Sequence, residues 1–224
     1  MVIPLIIDEL KKHGSKKNLE GMSKYGINPL NGFGTPIPHI RNLAKKIGKN
    51  HNLALELWET KIHEARLLAC MIDDSANVSK SQMNKWVKDF YSWDICDQVC
   101  NNLFVFTPFA YEKAIEWSGS KKEFVKRAGF VLMATLAVHS KKLKDEDFIN
   151  LFPVIINESI DERNFVKKAV NWALRQIGKR NIILNRESII TAEKIIELNS
   201  KSAKWIAKDA IKELTNPTIK IRNK

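Results

Sequence analysis

Two residues one helical turn apart, Trp93 and Asp97, are the first candidates for chemistry in this sequence. They lie in YSWDICDQVC (91–100), where a helix would place both side chains on one face, because residues i and i+4 are neighbours on a helix surface. By residue type alone, Trp93 would be a packing residue and Asp97 a surface carboxylate. On a surface that binds polyanions, however, a carboxylate costs affinity unless it stabilises positive charge that develops in a reaction. The pair therefore indicates chemistry on a cationic intermediate.

A second group of residues forms one basic helix face around a tryptophan. Steps of four, three and four residues keep the group on one side of a helix. Its members are Lys168, Trp172, Arg175 and Lys179. Cations around an aromatic ring suit a surface that holds phosphates, so this face predicts contact with DNA. A further helix predicted over 17–28 would bring Lys24 and Tyr25 near the same ligand.

Basic residues also recur at a spacing of about forty residues. The echoing segments are FVKRAG (124–129), FVKKAV (165–170) and, more weakly, WIAKDA (205–210). The cations that they align are Arg127, Lys168 and Lys208, with Arg66 in the same register inside HEARLLA (63–69). Stacked from repeat to repeat, these cations would form a positive track for DNA. The alternative is a set of solvated cations at the rims of helices.

The elements that carry these residues have the period of amphipathic helices. Apolar residues recur at three- and four-residue spacing. The stretches are 53–72, 123–140, 146–159, 163–179 and 202–214. Repeats of two helices at this period are typical of HEAT-type hairpins. We therefore expect an all-α fold, an α-solenoid of HEAT-like helical hairpins with a concave basic groove. It would form one domain over 1–216, followed by a frayed tail over 217–224.

Composition narrows the class of protein. The 224 residues carry 37 Lys and Arg against 25 Asp and Glu, a formal charge of +12 that attracts polyanions, nucleic acid above all. An odd number of cysteines indicates a reducing compartment. Cys96 and Cys100 are spaced C-x₃-C with no histidine nearby, which does not predict a metal site. No apolar stretch approaches the roughly 18 residues of a membrane span. We expect a cytoplasmic, nucleoid-associated protein without metal or membrane contact.

Taken together, the motifs resemble those of a known family. SWDICD (92–97), FVKRA (124–128) and FVKKAVNWALRQ (165–176) occur in an order and at separations similar to those of the AlkD-type alkylpurine DNA glycosylases. These proteins form the DNA alkylation repair family of HEAT-like proteins. GTPIPHIRNLAKKI (34–47) is similar to the family's Gly-x-x-x-Pro-x-x-Arg segment. The resemblance extends from roughly residue 30 to residue 214.

The resemblance implies a function and a set of site residues. It implies hydrolysis of the N-glycosidic bond of cationic N3- or N7-alkylated purines in double-stranded DNA, without base flipping and without a cofactor. The catalytic residues would be Asp97, Trp93, Trp172 and Arg127. The DNA-binding residues would be Arg127, Lys168, Arg175, Lys179, Lys208 and Arg66. We expect a monomer with no obligate protein partner and, because no lysine lies in a nucleophile motif, no lyase activity.

Two other functions fit the same residues. One is a non-catalytic HEAT-like DNA-binding protein of the same family, which would recognise branched or distorted DNA. The other is a HEAT scaffold that binds protein, and the positive charge of the chain disfavours it.

Overall fold

Every regular element in the described part of the chain, residues 2–222 of the computed structural model, is helical. The predicted all-α architecture is confirmed. The chain divides into two compact units, with the boundary between Thr107 and Pro108. We call them unit 1 and unit 2.

Unit 1 is built around one almost completely buried helix. Its helices are α1 (Ile3–Lys12), α2 (Lys16–Lys24), α3 (Ile37–Ile47), α4 (His51–Glu59), α5 (His63–Ile72), α6 (Lys80–Lys88) and α7 (Trp93–Asn102), followed by a 3₁₀ turn at Phe104–Phe106. α5 packs against α3, α4 and α7. Trp58 and Trp86 stack with ring centroids 3.9 Å apart and join α4 to α6. Both tryptophans are buried.

Unit 2 is built around two long helices that carry the sequence repeat. Its helices are α8 (Ala110–Ser118), α9 (Glu123–His139), α10 (Asp145–Ile149), α11 (Phe152–Glu158), α12 (Asn164–Gly178), α13 (Ile182–Ile196) and α14 (Lys201–Leu214). α9 packs against α8 and α12, and α12 also packs against α13 and α14. The three echoing segments therefore lie on α9, α12 and α14, which contact one another in that order.

Helix starts follow from local side-chain chemistry. Five helices begin after a residue whose side-chain oxygen accepts a hydrogen bond from the backbone N–H three residues later, which satisfies one of the free donors of the first turn. These residues are Ser15, Asn50, Ser79, Asn181 and Ser200. Short polar residues of this kind interrupt the apolar pattern and mark where these five helices begin.

Two stretches that each have a continuous helical pattern in the sequence form two helices in the structure. The stretch 53–72 is broken between α4 and α5, where Lys61 takes a positive φ of 57°. The Thr60 hydroxyl donates to Leu57 O at 2.7 Å and accepts from Ile62 N at 3.3 Å, which stabilises the turn. The stretch 146–159 is divided into α10 and α11.

Arg222, the last described residue, contacts the end of α12. Arg222 donates its backbone N–H to Lys179 O at 3.0 Å and its Nη1 to Gln176 Oε1 at 2.9 Å. Residues 223 and 224 of the tail predicted to be frayed lie outside the described residues.

Candidate functional site

The predicted Trp93 and Asp97 lie on the first turns of α7. Both side chains are half-buried, and their spacing of four residues places them on the same side of the helix. The Trp93 indole N–H donates to Tyr25 O, just beyond α2, at 2.9 Å. This bond fixes the plane of the indole. One helix therefore presents an oriented aromatic ring and a carboxylate.

A buried histidine supports this end of α7, and the sequence did not single it out. His63 Nε2 lies 2.9 Å from Asp94 Oδ2, and His63 Nδ1 lies 2.6 Å from the Tyr91 hydroxyl. The Ser92 hydroxyl donates to the other oxygen of Asp94 at 2.6 Å. The four side chains form one hydrogen-bonded chain that joins the start of α5 to the start of α7 on either side of Trp93.

The charges in this chain of side chains are set by burial and by hydrogen bonds. Burial by itself would raise the pKa of the Asp94 carboxyl, but the hydrogen bonds from His63 and Ser92 and the charge of His63 outweigh it, so the pKa lies below its ordinary value. Burial and the neighbouring Asp94 raise the pKa of Tyr91. Asp94 is therefore an anion and Tyr91 a neutral phenol at pH 7.

A buried carboxylate holds the loop that separates α2 from α3. Glu64 Oε1 accepts from the backbone N–H groups of Phe33, Gly34 and Thr35 at 3.0, 2.7 and 3.3 Å. Gly34 takes a φ of +74°, and a Cβ there would lie 2.4 Å from Ser15 O, so this position requires glycine. The loop anchors α2 because Asn18 Nδ2 donates to Gly34 O at 2.8 Å.

These elements enclose an open cavity of about 620 Å³ in unit 1. Trp93, Asp94 and His63 contribute to its wall, and α2 forms one side. Most of the remaining surface is apolar, from Met22, Ile27, Ile37 and Leu67. The sequence predicted no separate pocket beside Trp93, because the residues that line it come from four distant segments.

The basic face of α12 is present in unit 2, but two of its cations are paired with acids of α14. Lys168 is exposed and Trp172 is half-buried. Arg175 contacts Glu213 and lies 3.4 Å from Asp209 Oδ2, and Lys179 Nζ lies 2.5 Å from Glu213 Oε1. Burial raises the pKa of Glu213, but Lys179 and Arg175 lower it by more, so Glu213 stays ionised.

The repeated cations do not share one environment. Arg127 on α9 is only 6% exposed, and its Nη1 donates to Phe165 O of α12 at 2.6 Å. By contrast, Lys168 and Lys208 are exposed. Arg127 lies against α12, whereas the aligned Lys168 and Lys208 face solvent, so the repeated position has different surroundings on the three helices.

The structure contradicts the exposed position that the repeat predicts for Arg66. This side chain is 6% exposed and contacts α4 and the end of α6. Its guanidinium donates to Trp58 O and Asp89 O, both at 3.3 Å, and to Asp89 Oδ2 at 3.2 Å. The guanidinium also lies 4.9 Å from the Trp58 ring centroid. Arg66 is thus a structural residue that joins helices of unit 1.

Residues 2–222 contain neither a metal-ligand cluster nor a helix that could span a membrane. No group of three or more His, Cys, Asp or Glu side chains in this range is arranged to hold a metal ion. No helix in the same range has the length and hydropathy that a membrane crossing requires.

Comparison with known proteins decides the family. The family model described as "DNA alkylation repair enzyme" matches residues 6–214, which includes both units. The chain belongs to this family. The family resemblance predicted from the motifs around Trp93, Arg127 and Trp172 is thereby confirmed.

A solved structure confirms the HEAT-like fold. It is described as "A new family of proteins related to the HEAT-like repeat DNA glycosylases with affinity for branched DNA structures". The TM-score is 0.80 at 20% sequence identity, over 93% of this chain and 94% of that chain. No curated protein matches this chain.

Proposed function

We propose that this member of the DNA alkylation repair family is a monofunctional DNA glycosylase. Its substrates would be purines alkylated at N3 or N7 in duplex DNA, and it would hydrolyse their N-glycosidic bond. The observation that carries the proposal is the pairing of an oriented Trp93 with Asp97 on one turn of α7 in a chain of strongly positive charge. Family membership over both units supports it.

The proposed chemistry uses charge rather than acid catalysis. An alkylated purine is already cationic and leaves readily, so the enzyme must chiefly stabilise the oxocarbenium-like sugar. Asp97 would do so by electrostatic attraction and would orient the attacking water. Trp93 and Trp172 would contact the lesioned nucleotide and stabilise its positive charge through their π faces. The alkylated base would stay stacked in the duplex, as the family resemblance implies.

The proposed DNA contacts are sequence-independent. The exposed Lys168 and Lys208 would bind phosphates directly. Arg175 and Lys179 would do so by exchanging Glu213 for a phosphate. Arg127 would bind a phosphate from its position against α12, where its guanidinium already donates to Phe165 O. Arg66 has the same exposed fraction as Arg127, and we leave it out because its guanidinium is paired with Asp89 and lies against the Trp58 ring inside unit 1.

The remaining features of the proposal follow from the chemistry. Charge stabilisation of this kind needs neither a metal nor an organic cofactor. We propose that the protein acts as a monomer in the cytoplasm, on chromosomal DNA, without an obligate protein partner.

A second function is a non-catalytic protein that binds branched or distorted DNA. It is favoured by the description of the solved relative, which names affinity for branched DNA structures. The two functions differ in whether a base is released, so one pair of variants separates them.

The test substitutes Asp97→Asn and compares base release from methylated duplex DNA with that of the unaltered protein. We expect release to fall by at least about 100-fold, the usual cost of losing one electrostatic group of an active site. DNA affinity should stay the same or rise, because a negative charge is removed. Glu56→Gln, an exposed residue of α4, is the matched control for charge. Equal release by Asp97→Asn and the control would remove Asp97 from the mechanism.

A further inference from the structure

Helix α2 lies over a cavity, whereas a surface helix normally packs one face on the protein core. It has no buried residue. The residues on its inner side, Lys17, Asn18, Gly21, Met22 and Tyr25, all line the 620 Å³ cavity. Their spacing is that of one helix face. α2 is instead held at its two ends, by Asn18 on Gly34 O and by Trp93 on Tyr25 O.

A glycine in the middle of this face has no packing reason to be there. A Cβ at Gly21 would meet no atom within 4 Å. Glycine is nevertheless a poor residue for a helix interior, where alanine is favoured. What glycine does at this position is leave the cavity open, because any longer side chain would enter it. Positions that break a local rule without a packing reason are where functional sites are expected.

The lining of the cavity has the chemistry of a site for a flat aromatic ligand, with one cation for a phosphate and with both oxygens of the Asp94 carboxylate held by His63 and Ser92. Trp93 and Tyr25 provide aromatic surface, and Lys17 provides a cation. The Trp93 ring is fixed by its bond to Tyr25 O. Behind it, His63 and Asp94 are bonded to each other and make a rigid polar wall. The volume lies within the roughly 300–1,000 Å³ of pockets for small ligands.

We propose that this cavity binds one unpaired nucleobase, stacked on Trp93, with its phosphate near Lys17. Base stacking on aromatic side chains combined with a nearby cation is how proteins bind unpaired nucleotides. This inference rests on the proposed function, because it takes the base from the DNA that the protein is proposed to bind. The base is already unpaired when it enters, in a bulge or at a junction, so no paired base has to be flipped. The alkylated purine that reacts is a different nucleotide beside Asp97, which does not line the cavity, so Trp93 would contact one nucleotide on each side of its ring.

The experiment measures the affinity of labelled, unalkylated duplexes by fluorescence anisotropy. Three duplexes are compared: fully paired, with one unpaired adenosine, and with an abasic nucleotide at the same bulge. The unaltered protein should bind the adenosine bulge about tenfold more tightly than the abasic bulge, a typical effect of stacking one base. The abasic bulge separates recognition of the base from recognition of the bend.

The variants separate the cavity from the helix that covers it. Gly21→Ala and Gly21→Leu both favour the helical state of α2, but only leucine fills the cavity. We expect Gly21→Ala to keep the tenfold preference and Gly21→Leu to lose it, with unchanged affinity for the paired duplex. Gly119→Leu, at the end of α8, is the control, because a Cβ there also meets no atom within 4 Å.

A parallel calorimetric titration with free deoxyadenosine tests the source of the base. Binding that Gly21→Leu abolishes, without any preference among the duplexes, would overturn DNA as the source and assign the cavity to free nucleosides. Equal affinity for the two bulges, together with no binding of deoxyadenosine, would overturn the proposal. Because no duplex is alkylated, a failure of base release leaves this result unaffected, and failure to bind any DNA would count against the proposed function instead.

Discussion

Glu213 pairs with two of the cations on the basic face of α12. Its carboxylate contacts Arg175 and accepts from Lys179 Nζ at 2.5 Å. A phosphate brought to this face must compete with that carboxylate for the same nitrogen atoms. At the level of single residues, the proposed DNA binding by unit 2 would therefore depend on an acid as well as on the cations.

Substitution of Glu213→Gln should strengthen DNA binding. Arg175 and Lys179 would be released to phosphates, and the slope of log K against log salt should steepen by about one to two units, since each additional phosphate contact contributes about 0.9. The measurement is a salt titration of duplex affinity. Glu193→Gln, an exposed acid on α13, makes the same change in formal charge. Equal steepening in both variants would mean that net charge, and not the pairing with α12, sets the effect.

Residue type indicated which side chains carry charge, but not which of them are buried or paired with another side chain. Arg66 and Lys168 occupy the same register of the repeat, yet Arg66 is buried against Asp89 whereas Lys168 is exposed. His63 and Asp94 are 31 positions apart, so no local spacing predicts their bond. Trp93 and Asp97 were found because four-residue spacing on a helix is a local property.

At the scale of elements, an ionic cluster joins the loop after α11 to α9. Asp161 Oδ2 lies 3.2 Å from Lys126 Nζ and 2.5 Å from Arg163 Nη2. Lys126 also contacts Glu158, at the end of α11. Burial raises the pKa of Asp161, but the hydrogen bonds from Arg163 and Lys126 lower it by more, to about 2. The cluster thereby stabilises the loop between α11 and α12, and α12 carries Trp172.

Substitution of Asp161→Asn should lower the free energy of unfolding by about 1 kcal/mol at pH 7, less than the ~2 kcal/mol equivalent of a pKa that falls from 3.8 to about 2, because solvent screens this partly exposed cluster. Because the folded pKa is the lower one, this stabilisation is complete above about pH 4 to 5 and is lost as the pH falls toward 2. Urea unfolding of both proteins at pH 7 and near pH 2.5 measures the difference. A difference of the same size at both pH values would show that packing, and not charge, causes it.

Helical period predicted the existence and type of the elements better than their ends. The break between α4 and α5 has no glycine or proline to indicate it, and it depends on Lys61 with positive φ and on the hydroxyl of Thr60. A helix was expected in the region of α2, but the sequence did not predict that its inner face lines a cavity. Its residues have the composition of an exposed helix, and only the position of Trp93 and of residues 34–37 makes them a lining.

At the scale of the whole molecule, charge and family membership support the same function. The formal charge of +12 suits a polyanionic ligand, and the family model extends over both units. The all-α, HEAT-like fold was predictable because it follows from apolar period and from a repeat of about forty residues. The cavity, the pairing of Glu213 and the burial of Arg66 were not predictable, since each depends on contacts between residues far apart in the sequence.

The most direct measurement is the release of bases by the unaltered protein from duplex DNA that contains N3-methyladenine and N7-methylguanine. Chromatography of the free bases should show release of methylated purines, with an equal number of abasic sites and no release from unmethylated DNA. Binding of the same duplex without release of any base would contradict the proposed glycosylase function and leave a DNA-binding protein in which Asp97 has no catalytic role.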